Sequence, residues 1–285
     1  DLILPLTISS SSATPLSIDC ASLISTPGTI TPLKIDDFDG DGHPDCLINI
    51  EQQIPYKIKP FFNFVNRTAI AWGSAQGFGD AVFLDPLSPS GSILAIGDFD
   101  VDLDVDMIRG PDPAGILHLF KNTGRGDFPT AISLTSLLPP SSAPSGTFVA
   151  NLLVSEFNGD SIPDLAITYH CWETDGYRIA IGIALGNGDG SFDAPQLNLD
   201  SFNEIHPTPW SADHAVDWNC DGKIDVIAYG KWFENLGGSF SSSGVILFTP
   251  ANAMTNYGNP VPLLQTRIGD LNADGFPDIV SMAYR

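Results

Sequence analysis

Positive charge is scarce in this sequence. Only 12 of its 285 residues are Lys or Arg, against 34 Asp and Glu, and the formal net charge at pH 7 is −22. With so few cationic side chains and no basic stripe to meet phosphates, nucleic acid is not an expected partner. No apolar run approaches the roughly 18 residues of a membrane-spanning helix, so direct membrane insertion is not expected either. No charged and apolar leader precedes Asp1, and any secretion signal is expected to have been removed or to lie outside this stretch of chain. Gly-x-Ser-x-Gly, His-Glu-x-x-His and phosphate-cradling glycine loops are all missing, and no catalytic residue is nominated. A pair of carboxylates spaced for glycoside hydrolysis is a property of the fold, so a polysaccharide-active enzyme stays open.

The acidic residues, by contrast, are patterned. In Asp37-Phe-Asp-Gly-Asp-Gly-His-Pro-Asp45 oxygen-bearing side chains stand at positions 1, 3, 5 and 9, the spacing with which a loop wraps a hard cation. Gly42 at position 6 permits the sharp turn. The design recurs from Asp98 to Asp106, Glu156 to Asp164, Asp217 to Asp225 and Asp270 to Asp278, with first positions 61, 58, 61 and 53 residues apart. That is a structural repeat. Nineteen of the 34 acids, Asp36 included, fall in these loops, so the net charge is largely a property of five candidate cation sites. Five bound Ca²⁺ would bring the formal charge to −12. An EF-hand is excluded, because it needs a Glu at position 12 and helical flanks. Position 12 here is Ile48, Arg109, Ile167, Ala228 or Ser281, and the flanks are short apolar runs that read as buried strands.

The unit strand, acidic loop, strand, together with the turns at Asn122 to Phe128, Gly186 to Phe192 and Asn235 to Phe240, resembles the FG-GAP/VCBS repeats of integrin α-chain β-propellers and related secreted proteins. The resemblance covers nearly the whole chain. It implies an all-β fold of four-stranded antiparallel blades around an axis, with up to five Ca²⁺ in the loops joining first and second strands. Ligands carried over by resemblance are Asp37, Asp39, Asp41, His43 and Asp45; Asp98, Asp100, Asp102, Asp104 and Asp106; Glu156, Asn158, Asp160, Ile162 and Asp164; Asp217, Asn219, Asp221, Lys223 and Asp225; and Asp270, Asn272, Asp274, Phe276 and Asp278. Position 7 of each set, His43, Asp104, Ile162, Lys223 or Phe276, would contribute its backbone carbonyl. Loop two departs from the pattern at Leu103 and Asp104, and loop three at Glu156 and Ser161.

A single propeller domain over residues 1–285 is expected, with blades at about 30–90, 91–147, 148–210 and 211–262, and a fifth at 263–285 completed by 1–29. A mean loop spacing of about 58 residues accommodates nearly five blades; the alternative is a fragment of a six- or seven-bladed propeller. Two stretches look like insertions. Residues 51–66 carry Tyr56, Phe61, Phe62 and Phe64, and residues 170–177 carry His170, Trp172 and Tyr177, to which His206, Trp210 and His214 add. Such rings either stack on a sugar or fill space between blades. Arg125-Gly126-Asp127 reads as turn chemistry rather than an adhesion motif.

Weak calcium loops need the millimolar calcium found outside cells, so a secreted or cell-surface location is expected. Asn66-Arg67-Thr68 is an N-glycosylation acceptor sequence. The four cysteines allow three pairings, of which Cys20 with Cys46 and Cys171 with Cys220 are favoured, against four buried thiols. The leading functional reading is a non-enzymatic binder of a glycan or extracellular protein ligand, adhesin- or lectin-like. A scaffold of a larger extracellular assembly, with self-association or a longer parent chain, and a polysaccharide-active enzyme are the alternatives.

Overall fold

The short apolar runs flanking each acidic loop become paired strands, and their alternation decides how the sheets bury both faces. The computed structural model describes residues 28–55, 62–79, 81–84, 92–124, 126–139, 145–173, 176–199, 212–228, 231–241, 244–247 and 263–283, with short pieces at 6–8, 16–18, 141, 143 and 205–206. The fold is all-β: among the described residues there is no α-helix, only the 3₁₀ turn Thr135–Leu137. No helix is long and apolar enough to cross a membrane among those residues.

Strands β1 (Leu6–Ile8) and β2 (Leu16–Ile18) pair with each other. Sheet one follows as β3 (Gly28–Asp36), β4 (Asp45–Pro55), β5 (Phe62–Ala71) and β6 (Ala81–Phe83). Sheet two is β7 (Ser92–Gly97), β8 (Asp106–Gly110), β9 (His118–Phe120) and β10 (Ala131–Ser133). Sheet three runs β11 (Phe148–Ser155), β12 (Asp164–Glu173), β13 (Gly176–Ala184) and β14 (Gln196–Leu199), with β15 (Ile205–His206) also on β13. Sheet four is β16 (Ala212–Val216), β17 (Asp225–Ala228), β18 (Lys231–Phe233) and β19 (Val245–Ile246), and β20 (Leu263–Gly269) pairs with β21 (Asp278–Ala283). In each four-strand path the strands are antiparallel and spatially consecutive. The chain forms two compact units, residues 1–133 and 134–285.

Period-two alternation gives each sheet two apolar faces. Cys46, Ile48, Ile50, Ala69 and Ala71 cluster on one side of sheet one. Leu47 and Ile70, from the other side, pack with Phe38, Met107, Phe120 and Phe128 and so join sheet one to sheet two. The second unit repeats the device: Phe157, Ala166, Ile181 and Ile183 pack on Val226, Ala228, Phe233 and Phe240 of sheet four. Phe157 meets Phe240 edge-on at 5.4 Å between ring centroids. Tyr169, fully buried, donates its hydroxyl to the Leu137 carbonyl at 3.1 Å.

Three sequence expectations change. The two insertions are not loops but hairpin extensions: the β4–β5 ladder runs on to Pro55 opposite Phe62, and the β12–β13 ladder to Glu173 opposite Gly176. Residues 56–61 lie outside the described residues, and Asn66 of the glycosylation triplet sits within β5. The Cys171–Cys220 bridge is not formed. Cys171 is a buried thiol donating towards the Ser145 carbonyl, whereas Cys220 is a free thiol at an exposed loop tip, its sulfur 3.9 Å from the Gly275 carbonyl. Cys46 is a buried thiol within the sheet-one core, its sulfur 3.9 Å from the Leu47 carbonyl, rather than half of a bridge; its expected partner Cys20 lies outside the described residues. A further regularity escaped the sequence pattern. In all five first–second strand ladders the register slips by one residue, at 32/34, 93/95, 149/151, 212/214 and 263/265, a β-bulge four residues before position 1 of the loop in loops one, two and four and six residues before it in loops three and five.

Close approach explains one glycine. A Cβ on Gly73 would stand 2.2 Å from the Pro44 carbonyl oxygen, which is backbone and cannot yield. Gly73→Ala is expected to cost about 1–3 kcal/mol, read as a lower urea midpoint at constant m-value. Gly79→Ala, whose Cβ would meet nothing closer than 3.7 Å, should leave the midpoint nearly unchanged.

Candidate metal centre

All five loops fold through one hydrogen-bond scheme, in which backbone N–H groups turn inward onto side-chain oxygens. The position 1 carboxylate gathers the tip: Asp37 accepts from Gly40, Asp41 and Gly42 at 2.8–3.1 Å. Asp98 does the same for Asp102 and Leu103, Asp217 for Asp221 and Gly222, and Asp270 for Asp274 and Gly275. The longer Glu156 takes Asn158, Gly159 and Asp160 on a single oxygen. Position 3 accepts from the position 5 amide in loops one, three, four and five, through Asp39, Asn158, Asn219 and Asn272. Position 5 then accepts from position 7: His43 to Asp41, Asp104 to Asp102, Ile162 to Asp160, Lys223 to Asp221 and Phe276 to Asp274. These are Asx-type turns, and they hold the loop in shape through local bonds alone.

Position 9 does a different job. Its Oδ2 accepts the position 2 amide, from Phe38, Phe99, Phe157, Trp218 or Leu271, at 2.8–3.1 Å. Its Oδ1 reaches across the sheet to the end of the third strand, accepting from Gly73, Asn122, Gly186 or Asn235. Asp45, Asp106, Asp164 and Asp225 are accordingly buried. A carboxylate oxygen accepts more than one bond, so these groups retain capacity for a cation.

In loops one and two the carboxylates also converge. One oxygen from each of Asp37, Asp39 and Asp45 lies within 4.8 Å of the others, and the same holds for Asp98, Asp100 and Asp106. Two oxygens on opposite sides of a Ca²⁺ would be about 4.8 Å apart, so the dimension suits a hard cation. Within loop two, Asp100 Oδ2 is 3.0 Å from the Lys121 ammonium, while its Oδ1 is buried with no hydrogen-bond partner. An orphaned carboxylate oxygen inside a carboxylate triad is what a bound cation would satisfy. The residues present therefore fit a metal ion. Asp41 and Asp102, at position 5, are not in the triads. Loops three to five carry Asn at position 3, so their acids stand only at positions 1, 5 and 9. In loop four Lys223 Nζ sits 2.7 Å from Asp221 Oδ2 and competes for it.

A second backbone requirement was invisible from the glycine at position 6. Positions 4 and 6 both adopt positive φ in every loop, and loop two meets this with Val101 at +59° and Leu103 at +78°. Ser161, Cys220 and Ala273 do so in the other loops. Cys220 thus occupies position 4 of loop four, exposed, with its sulfur 3.9 Å from the Gly275 carbonyl of loop five.

Burial without a cation perturbs the inner carboxylates. Desolvation pushes Asp106 up to about 7, with Asp100 and Asp102 adding like-charge repulsion against the two amides that favour its ionised form. Asp45 and Asp164 are raised for the same first reason. The aromatic and imidazole candidates are partly brought together: Trp172 is opposite Tyr177 in the β12–β13 ladder, and Tyr177 opposite His206 on β15. His170 is buried edge-on to Phe148 and is a packing residue, and Trp210 lies outside the described residues. The turn holding Asp127 is closed by Asn122 Oδ1, which accepts from Gly124 and Gly126, and a Cβ on Gly126 would collide with the Trp72 ring. Neither a scan of protein-family models nor a search of the curated proteins returns a match for this chain.

Leu103→Gly is expected to raise stability by about 0.5–1 kcal/mol, since the side chain is 89% exposed and the left-handed backbone penalises it. In chelator, the melting temperature should rise as pH falls from 8 to 5. Carboxylates with raised pKa values take up protons in the folded state before the unfolded chain does, so stability grows as pH drops through about 7. A melting temperature that falls over this range would show the inner carboxylates to be ionised in the metal-free fold.

Proposed function

We propose that this chain is a calcium-stabilised β-propeller module of the FG-GAP/VCBS kind, which works outside the cell as a non-enzymatic binder of a glycan or protein ligand. The observation that carries the reading is the fivefold recurrence of one preorganised loop, twice with a carboxylate triad of cation dimensions. Consecutive four-stranded antiparallel sheets that stack through their apolar faces support the propeller. A loop offering several protein oxygens favours Ca²⁺ over Mg²⁺, which keeps most of its water and demands octahedral geometry. The ion's role is to neutralise carboxylates that burial leaves uncompensated, and it acts by binding the folded state alone. The extracellular location follows from calcium availability only, because the expected disulfide at Cys220 is absent. For the ligand, the row Trp172, Tyr177 and His206 at one end of sheet three supports a stacking site, since sugars expose apolar ring faces and hydroxyls together.

Thermal unfolding in 1 mM calcium against chelator tests the ion. A site with Kd of about 0.1 mM contributes about 1.4 kcal/mol at that concentration, so several sites should move the melting temperature by many degrees. An unchanged transition would sink the calcium reading. A panel of immobilised glycans tests the ligand: retention that Trp172→Ala removes, with the calcium shift intact, is expected, and a blank across the panel counts against the sugar reading.

A further inference from the structure

The sheets come in two kinds that alternate, and the difference lies in one side chain. The residue ending the third strand, whose amide serves the position 9 carboxylate, is Gly73 in sheet one and Gly186 in sheet three, but Asn122 in sheet two and Asn235 in sheet four. Both glycines are sterically required, each lying against a proline carbonyl at position 8, Pro44 or Pro163. Where position 8 is Val105 or Ile224 the asparagine fits, and its Nδ2 donates to that carbonyl. The same Nδ2 also reaches the preceding sheet. Asn122 donates to the Phe38 carbonyl of loop one at 2.8 Å, and Asn235 to the Phe157 carbonyl of loop three at 2.7 Å. Both asparagines are buried, at 2% and 1% exposure. First positions of loops one and three, and of loops two and four, are each 119 residues apart, so the repeating unit is two sheets rather than one.

The carbonyl so gripped belongs to the residue between positions 1 and 3 of its loop. Asn122 thereby holds the Phe38–Asp39 peptide with its side chain, and Asp106 with its amide. Its turn is wedged between the loops as well: the Gly40 Cβ position is 3.6 Å from the Gly124 carbonyl, and the Gly124 Cβ position 2.7 Å from Asp104 Oδ2. Asn235 stands in the same relation to Glu156, Asn158 and Asp225.

We propose that Asn122 and Asn235 are positioning residues that couple cation binding between loops one and two and between loops three and four, so that ions load in cooperative pairs. The inference rests on the calcium reading above. An ion that draws Asp37 and Asp39 together fixes the Phe38 carbonyl, which orders Asn122 and with it the Asp106 carboxylate of the next loop. Gly73 and Gly186 have no side chain with which to relay anything.

Calorimetric calcium titration of the full-length chain tests this, with Asp39→Ala, which leaves position 3 without an oxygen, Asn122→Ala and the double variant beside the unmodified protein. Asp39→Ala alone should remove one binding event and weaken a second by about fivefold or more. In the Asn122→Ala background the same change should remove one event and leave the rest untouched. Events from loops three and four, held by Asn235, report in every variant that the protein is folded. If Asp39→Ala weakens no remaining site, or weakens it equally without Asn122, the coupling is overturned, and the first outcome decides even if Asn122→Ala does not fold. No calcium heat in the unmodified protein would overturn the calcium reading itself, which the other failures leave standing.

Discussion

Each four-stranded sheet in this protein closes on a buried aspartate whose two oxygens accept backbone amides from two places: the start of its own acidic loop and the far end of the third strand. A buried carboxylate without such bonds would be prohibitively desolvated; with them it becomes a rigid joint between loop and sheet. The loop entrance and the end of the third strand meet at that joint. Phe38, Phe99 and Phe157, whose amides serve position 9, are buried in the core. Burial also raises Asp45, Asp106 and Asp164, so the joint leaves the sheet with charge to neutralise, and a cation is the economical way to do it.

The loops do not wait for an ion to take shape. Their tips are held by bonds from positions 1, 3 and 5 to amides two to five residues on, which explains why Glu156 and Ser161 are tolerated in loop three. Charge is what differs between loops. Loop one and loop two concentrate three converging carboxylates, whereas loops three to five replace one by asparagine, and loop four spends Asp221 partly on Lys223. Should all five loops take the cation proposed above, their affinities would be graded on one scaffold. Loop two keeps two bulky residues in left-handed conformations, so its extra acids coexist with a strained backbone.

The interfaces between sheets are as specific as the loops. In each unit an apolar layer joins two successive sheets, and a single asparagine pins the rim of one to the other. That arrangement makes a pair of sheets the repeating element, and it bears directly on how ions at neighbouring loops would sense each other.

What the amino-acid order determined alone is whatever depends on near neighbours: the five loops, the strands on either side of them, the all-β class and the turn at Asn122. Bonds spanning two to seven residues are written into spacing, and a one-dimensional reading recovers them. Tertiary structure decided the rest. Asn122 finds Phe38 across 84 residues and Asn235 finds Phe157 across 78, and no local signal distinguishes them from ordinary turn asparagines. Only the fold could show that Cys171 is buried in a strand while Cys220 caps a loop, or that the two apparent insertions continue their hairpins. Spacing encodes a loop because the chain is its own partner there; contacts between sheets depend on which surfaces folding brings face to face.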